Sequence, residues 1–336
     1  MHIIKENFEI IATINTYNLQ MNKLIQFIHN GVTVFRINAS FIKIDDLKSC
    51  IQQIRNTVEN SAKILIDLPG YKIRFLNLDE NIIFKAEMPF ELKKEYFNYP
   101  DFFDLIEVGT IIRINDGFNM LTITEMKERS IVCTANSNGT IRKGKGIHID
   151  NKSYRPLGNM LSSHDLKLLD AVKQCDIDYI GLSFVHDMED VKYVERELGA
   201  TKIECIPKIE SKESVKNLHS ILKDSKMIIL DRGDLSGEIG LENIWKVQKD
   251  IISLCKKYDC RIIVATQVLA NMTSKPLPTI AEVESLYGLL DKGVSGIQLS
   301  EETSIGKYSE ECIRFVFNAA AHFLYAQNDN SEQSNI

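Results

Sequence analysis

The sequence predicts an α/β protein: a (β/α)8 TIM barrel with a small all-β domain inserted after its third strand. Three observations carry this. Eight short apolar runs recur along the chain, helical patterns separate most of them, and the interval between the third and fourth runs is far longer than the rest and reads as β. Continuous apolar runs indicate strands buried on both faces, as in a parallel sheet covered by helices. Strand then helix repeated eight times closes into a barrel. A doubly wound open sheet is the alternative for the same rhythm.

The runs in order are FEIIATI (8–14), TVFRIN (33–38), KILIDL (63–68), DYIGLSF (178–184), IECIPKI (203–209), MIILD (227–231), RIIVATQ (261–267) and SGIQLS (295–300). Between the first two, residues 20–29 place Met21, Leu24, Ile25 and Ile28 on one helical stripe. Residues 162–174 open on serines and repeat Leu166, Leu169 and Val172, and 245–256 and 308–326 follow the same period. Roughly 110 residues separate the third run from the fourth. Within them TIIRI (110–114), MLTITEM (120–126) and SIVCTAN (130–136) read as strands, with NDG at 115–117 as a turn. The expected division is a barrel over 1–74 and 148–327, an inserted β domain over 75–147, and a disordered polar tail over 328–336.

Composition narrows the function classes. The chain has 336 residues, 44% of them hydrophobic, enough for one barrel with an insertion or for two ordinary domains. A net charge of -6 gives no reason to expect a nucleic-acid partner. Cys50, Cys133, Cys175, Cys205, Cys255, Cys260 and Cys312 are dispersed, without zinc-site spacing, which suits a reducing cytosol. The start MHIIKENFEI lacks the apolar core of a signal peptide, and no apolar stretch is long enough to span a membrane. A cytoplasmic location is the expectation.

In a (β/α)8 barrel the active site lies at the C-terminal strand ends. Those ends carry Arg36, Asn38 and Ser40 on the second strand, Asp67 with Lys72 and Arg74 on the third, and Ser183 on the fourth. The fifth brings Lys208 and Glu210, the sixth Asp231, Arg232, Gly233 and Asp234, the seventh Thr266, and the eighth Ser300, Glu301 and Glu302. Lys208 and Glu210 are two apart, so they share one face of their strand. Glu210 and Asp234 offer the oxygen ligands that Mg2+ prefers. Arg36, Arg74 and Lys208 suit a phosphate or a carboxylate. An internal salt-bridge network at the rim is the plainer explanation for any single pair.

These strand ends resemble the pyruvate kinase family from about residue 8 to 326. VFRINAS (34–40), ILIDLPGYKIR (64–74), GLSFV (181–185), IPKIES (206–211), RGDLSGEIGLE (232–242), ATQVLANM (265–272) with PLPTIAEV (276–283), and LSEETSIGKY (299–308) follow the family's motifs in order. The resemblance implies the same barrel with a β domain inserted after the third strand. It implies that Lys208 stabilises the transferred phosphoryl group and the enolate oxygen. Glu210 and Asp234 would bind Mg2+ or Mn2+, and Arg36 and Ser183 would hold the phosphate. The amides near Gly233 and Asp234, at a helix start, suit the substrate carboxylate. Thr266 would face the enolate for proton delivery. Asn38, Arg74, Asp116 and Lys145 would contact the nucleotide, and the β domain would close over it. The substrates implied are phosphoenolpyruvate or a close analogue and a nucleoside diphosphate.

The sequence also departs from the family. The further domain that usually follows the barrel is not expected here, nor is its effector site, and a homo-oligomer is left open. The Gly-Pro of the first motif is Asn15-Thr16, the His after the Ser of the second is Phe41, and Pro69, Tyr71 and Glu301 replace the family's Lys, Pro and Gly. Asn38, Ser40 and Asp67 match ligands of a monovalent cation, but Lys72 stands where members that need no K+ carry Lys, so K+ is not expected to be required. Two alternatives remain: a lyase or aldolase that stabilises a pyruvate enolate, and a regulatory paralogue that binds phosphoenolpyruvate-like ligands.

Overall fold

The computed structural model describes residues 8–333 apart from 41, 116, 151 and 157–160. The eight apolar runs form β1 (Glu9–Thr13), β2 (Val34–Asn38), β3 (Lys63–Leu68) and, beyond the insertion, five more parallel strands. The insertion supplies β4 (Ile82–Phe84), β5 (Phe90–Lys93), β6 (Ile111–Ile114), β7 (Asn119–Met126), β8 (Ser130–Ala135), β9 (Gly139–Ile141) and β10 (Ile147–Ile149). The barrel resumes with β11 (Tyr179–Leu182), β12 (Glu204–Ile209), β13 (Met227–Asp231), β14 (Arg261–Ala265) and β15 (Gly296–Leu299). It closes in the order β1-β15-β14-β13-β12-β11-β3-β2, an α/β TIM barrel.

Each barrel strand is buried on both faces, which is why the runs are continuously apolar. One set of residues, including Ile10, Phe35, Ile64, Ile180, Ile228 and Ile297, packs outward against the surrounding helices. The other set fills the lumen: Ile11, Val34, Leu65, Tyr179, Ile206, Met227, Ile229, Ile263 and Ala265. Two residues further along, the inward position turns polar. Ile11 is followed by Thr13, Val34 by Arg36, Leu65 by Asp67, Ile206 by Lys208 and Ile229 by Asp231. The period-2 alternation therefore stacks a polar floor on an apolar plug, at the C-terminal ends.

Helices reconnect the strands. Several start on reciprocal caps readable in the sequence: Ser162 with Asp165, Asp187 with Asp190, Ser211 with Ser214 and Thr279 with Glu282. The last helix runs from Ser309 to Gln333. The tail expected to be disordered from 328 is thus helical to 333, since no Gly or Pro after Ser309 interrupts the backbone ladder; 334–336 lie outside the described residues.

The insertion builds an antiparallel sheet in the order β10-β6-β7-β8-β5 and a separate β4-β9 pair. At the NDG turn Asn115 and Gly117 both take positive φ, which these residue types tolerate. Its core is separate from the barrel's and includes Phe75, Phe97, Phe102, Leu121 and Ile131. That core also takes in Tyr71 and Ile73 from the entering segment and Ile149 and Tyr154 from the returning one. The two crossing segments are bridged at Arg74 and Gly146.

Candidate active site

Lys208 occupies the centre of the polar floor. Its Nζ lies 3.0 Å from Glu210 Oε2, 3.3 Å from Asp231 Oδ2 and 3.5 Å from Asp67 Oδ2, and it donates to Ser183 Oγ at 3.4 Å. Burial alone would lower its pKa. The carboxylates of Asp67, Glu210 and Asp231 outweigh burial and raise it, so the ammonium stays charged. Arg36 is the second buried cation. Its Nε donates to Asp67 Oδ2 at 2.6 Å and its Nη1 to Thr13 Oγ1 at 2.8 Å. Burial would raise the Asp67 carboxyl, but Arg36 and Lys208 hold it below the ordinary range.

The acidic side of the site is a cage. Glu210, Asp231 and Asp234 each present a carboxylate oxygen, all within 4.8 Å of one another. Glu210 accepts from the Phe184 amide through Oε1 at 2.7 Å. Its Oε2 is buried and, although 3.0 Å from Lys208, receives no aligned hydrogen bond among the described residues. Burial first, then Asp234 and Asp231, push Glu210 up to about 8 against the pull of Lys208. Asp234 moves the other way: Lys72 and His148 overcome burial and hold it well below the carboxylate range. Lys72 Nζ and His148 Nε2 both meet Asp234 Oδ1, the latter at 3.1 Å. An orphaned buried carboxylate oxygen beside two further acids is a hard-donor set that suits a divalent ion.

The floor is edged by unusual backbone. Phe184, Thr266 and Gln267 all have positive φ, at 56°, 71° and 52°. Arg232 pins the last two by donating to the carbonyls of Thr266 and Gln267, at 2.7 and 3.0 Å from Nη2. Thr266 in turn donates Oγ1 to Asp231 Oδ1 at 2.7 Å. Gly233 opens the helix Arg232–Ile239, and a Cβ there would meet the Thr266 methyl at 2.6 Å.

The sequence-derived residues fall into two groups. Arg36, Asp67, Ser183, Lys208, Glu210, Gly233, Asp234 and Thr266 converge on the floor, and Lys72 joins them through Asp234. Arg74 stands at the neck of the insertion, where its Nη1 donates to the Gly144 carbonyl at 3.1 Å. Asn38 is exposed and accepts from the Ser40 amide at 3.1 Å; Lys145 is exposed. Asp116 and Phe41 lie outside the described residues. Two contributors were not singled out from sequence. Asp231 is legible only as a strand-end acid, without a place beside Glu210 and Asp234. His148, from β10, reaches Asp234 across 86 residues of sequence, a pairing that no local pattern announces.

A lumen of apolar layers, a buried lysine ringed by acids and a cage of three carboxylates define an α/β-barrel protein with a charged site at its strand ends. The family model for the pyruvate kinase barrel domain matches residues 5–313. The chain is 34% identical over 305 residues to the pyruvate kinase of Methanocaldococcus jannaschii, covering 89% of this chain and 66% of that one. It is 30% identical over 327 residues to the pyruvate kinase of Thermotoga maritima and 29% over 335 residues to that of Thermococcus litoralis, in each case covering 70% of the relative. The chain belongs to the pyruvate kinase family, and spans about two thirds of the length of these relatives. No helix among the described residues is long and apolar enough to cross a membrane.

Proposed function

We propose that this protein transfers a phosphoryl group between phosphoenolpyruvate, or a close analogue, and a nucleoside diphosphate, giving pyruvate and the nucleoside triphosphate. The observation that carries this is Lys208, held charged beside the three-carboxylate cage. Phosphoryl transfer needs positioning and charge neutralisation more than covalent help. Glu210 and Asp234, with Asp231 beside them, would hold Mg2+ or Mn2+. A bound divalent ion supplies a template and neutralises charge on substrate oxygens. Lys208 Nζ faces the same space and stabilises charge on the transferred group and on the enolate oxygen. Arg36 and Ser183 orient the phosphate. The amides of Gly233 and Asp234 take the carboxylate at the helix start. Thr266, its hydroxyl tied to Asp231, sets the proton-delivery face of the enolate. The insertion acts as the lid that excludes water, with Arg74, Asn38, Asp116 and Lys145 toward the nucleotide.

Lys72 supports independence from K+. Its ammonium already sits against Asp234, while one oxygen of Asp67, a matched monovalent ligand, is held by Arg36 and Lys208. The test is phosphoenolpyruvate-dependent phosphorylation of a panel of nucleoside diphosphates with Mg2+ or Mn2+, following both products without K+. Turnover is the expected result, unchanged when K+ replaces a bulky organic cation. No turnover with any nucleotide, even with K+, would overturn the kinase reading; several-fold activation by K+ would overturn only the role of Lys72.

Metal binding should depend on pH with a definite sign. Glu210 at about 8 is protonated at neutrality without metal, and a divalent ion must displace that proton. Apparent Mn2+ affinity is therefore expected to climb about tenfold per pH unit below that value and to level off above it. Calorimetry in buffers of different ionisation enthalpy reads both the affinity and the released proton. A flat profile would remove Glu210 from the ligand set.

A further inference from the structure

One polar side chain, on the lowest level of the floor beside that of Arg36, has no part in the scheme above. Ile297 and Leu299 of β15 pack outward against the helices, so Gln298 between them faces the lumen. Its Cα partners, Ile11 and Ala265, line that lumen. The residue is only 1% exposed. Read around the closed barrel through alternate strands, the registers put Gln298 level with Arg36, Gly181 and Ile229. The level above holds Thr13, Asp67, Lys208 and Ala265.

Neither Gln298 Nε2 nor Gln298 Oε1 has a hydrogen-bond partner among the described residues. The same is true of Asp67 Oδ1. That oxygen points down: a Cβ on Gly181 would lie 2.0 Å from it, so it enters the space left open at the level of Gln298. An amide donor and a carboxylate acceptor thus share one buried level on different sides of the lumen, and neither bonds the other directly. Buried polar groups left without partners lose the hydrogen bonds they had in water. Buried polar groups in this position are commonly satisfied by ordered water that makes two to four bonds.

We propose that Gln298 anchors ordered water inside the barrel that hydrogen-bonds Asp67 Oδ1 and so fixes the carboxylate holding Arg36 and Lys208. Gln298 is then a positioning residue, acting on the two cations of the floor through Asp67. Oδ2 of Asp67 faces both cations, so rotation of this carboxylate moves the anchor of Arg36 and of Lys208 together. Water bridging is enthalpically nearly as good as a direct bond, so such a link favours one rotation of the carboxylate over others.

The test is a crystal structure of the full chain at a resolution that shows waters, paired with Gln298→Leu. The native lumen is expected to hold water within hydrogen-bond reach of both Gln298 and Asp67 Oδ1. In the variant that water should be gone, the carboxylate rotated, and Arg36 Nε farther from Asp67 Oδ2 than 2.6 Å. A dry lumen, a bound cation there, or an Arg36–Asp67 pair unmoved in the variant would overturn the proposal. Gln298→Met serves the same purpose if the Leu variant does not fold. A second readout rests on the function proposed above: Mn2+-dependent phosphoenolpyruvate affinity, by calorimetry, should fall about tenfold in the variant while its thermal midpoint is kept. Unchanged affinity would remove the positioning role. If the native chain binds no phosphoenolpyruvate, that functional reading fails, and the density in the lumen still decides the water.

Discussion

Lys208→Met is expected to lower phosphoryl transfer about a thousandfold or more and to leave a folded barrel. The methionine keeps most of the apolar stem and removes the ammonium with its charge and its donors. In the native site that charge has Glu210, Asp231 and Asp67 within 3.5 Å. Removing one partner of a buried ion pair costs roughly 3–5 kcal/mol when the other is left charged. Here the loss is cushioned. Asp67 keeps Arg36, Asp231 keeps the Thr266 hydroxyl, and Glu210, already pushed up to about 8 against the pull of Lys208, takes up a proton more readily once that ammonium is gone. The thermal midpoint should fall and partly recover with Mg2+, because a ligand that binds only the native state stabilises it. Circular dichroism tracks the fold and a coupled assay tracks turnover. A folded variant that still turns over would remove Lys208 from its assigned role.

Glu210→Gln should have the opposite balance: a large effect on metal and a small one on stability. Gln can keep the bond that the Phe184 amide makes to Oε1. The neutral amide replaces a carboxyl that is itself protonated at neutrality without metal, so the folded protein loses little. The divalent ion, however, loses a charged ligand, and its affinity should fall about a hundredfold or more. Titration with Mn2+ in the absence of nucleotide, followed by electron paramagnetic resonance, isolates this from catalysis. If affinity is unchanged, Asp231 and Asp234 hold the ion without Glu210. A large drop in thermal midpoint would instead show that the charge of Glu210 supports Lys208.

The barrel was legible because its strands are buried on both faces and so are continuously apolar. KILIDL and MIILD coincide with β3 and β13 end to end. Within the insertion β6, β7 and β8 were readable. β4 and β9 were not: each has three residues, and Ile82–Phe84 is buried at only one of them. Site residues on barrel strands were legible for a related reason. A charge ending an apolar run marks where the lumen turns polar, as Arg36, Asp67, Lys208 and Asp231 do. Contacts between distant segments were hidden. Nothing near Lys72 in sequence signals Asp234, and His148 sits in a short strand with no pattern of its own. The positive φ of Phe184 and Thr266 was hidden too, since neither residue type favours it. Gln298 left a faint mark, a lone amide within the buried run SGIQLS.

The bridge between Arg74 and Gly146 bears on modularity. Because the chain leaves and re-enters the insertion through paired neighbours, its two ends meet side by side. Deleting the segment between them leaves a gap that a tight reverse turn can span, without pulling on β3. Lys72 and His148 lie outside that segment, but β10, which carries His148, loses its partner β6, so the contact of His148 with Asp234 is the one such a deletion would loosen. The β domain is thus grafted onto the barrel rather than woven through it, and a lineage could exchange, resize or discard it while keeping the strands that carry Asp67, Lys208 and Asp231.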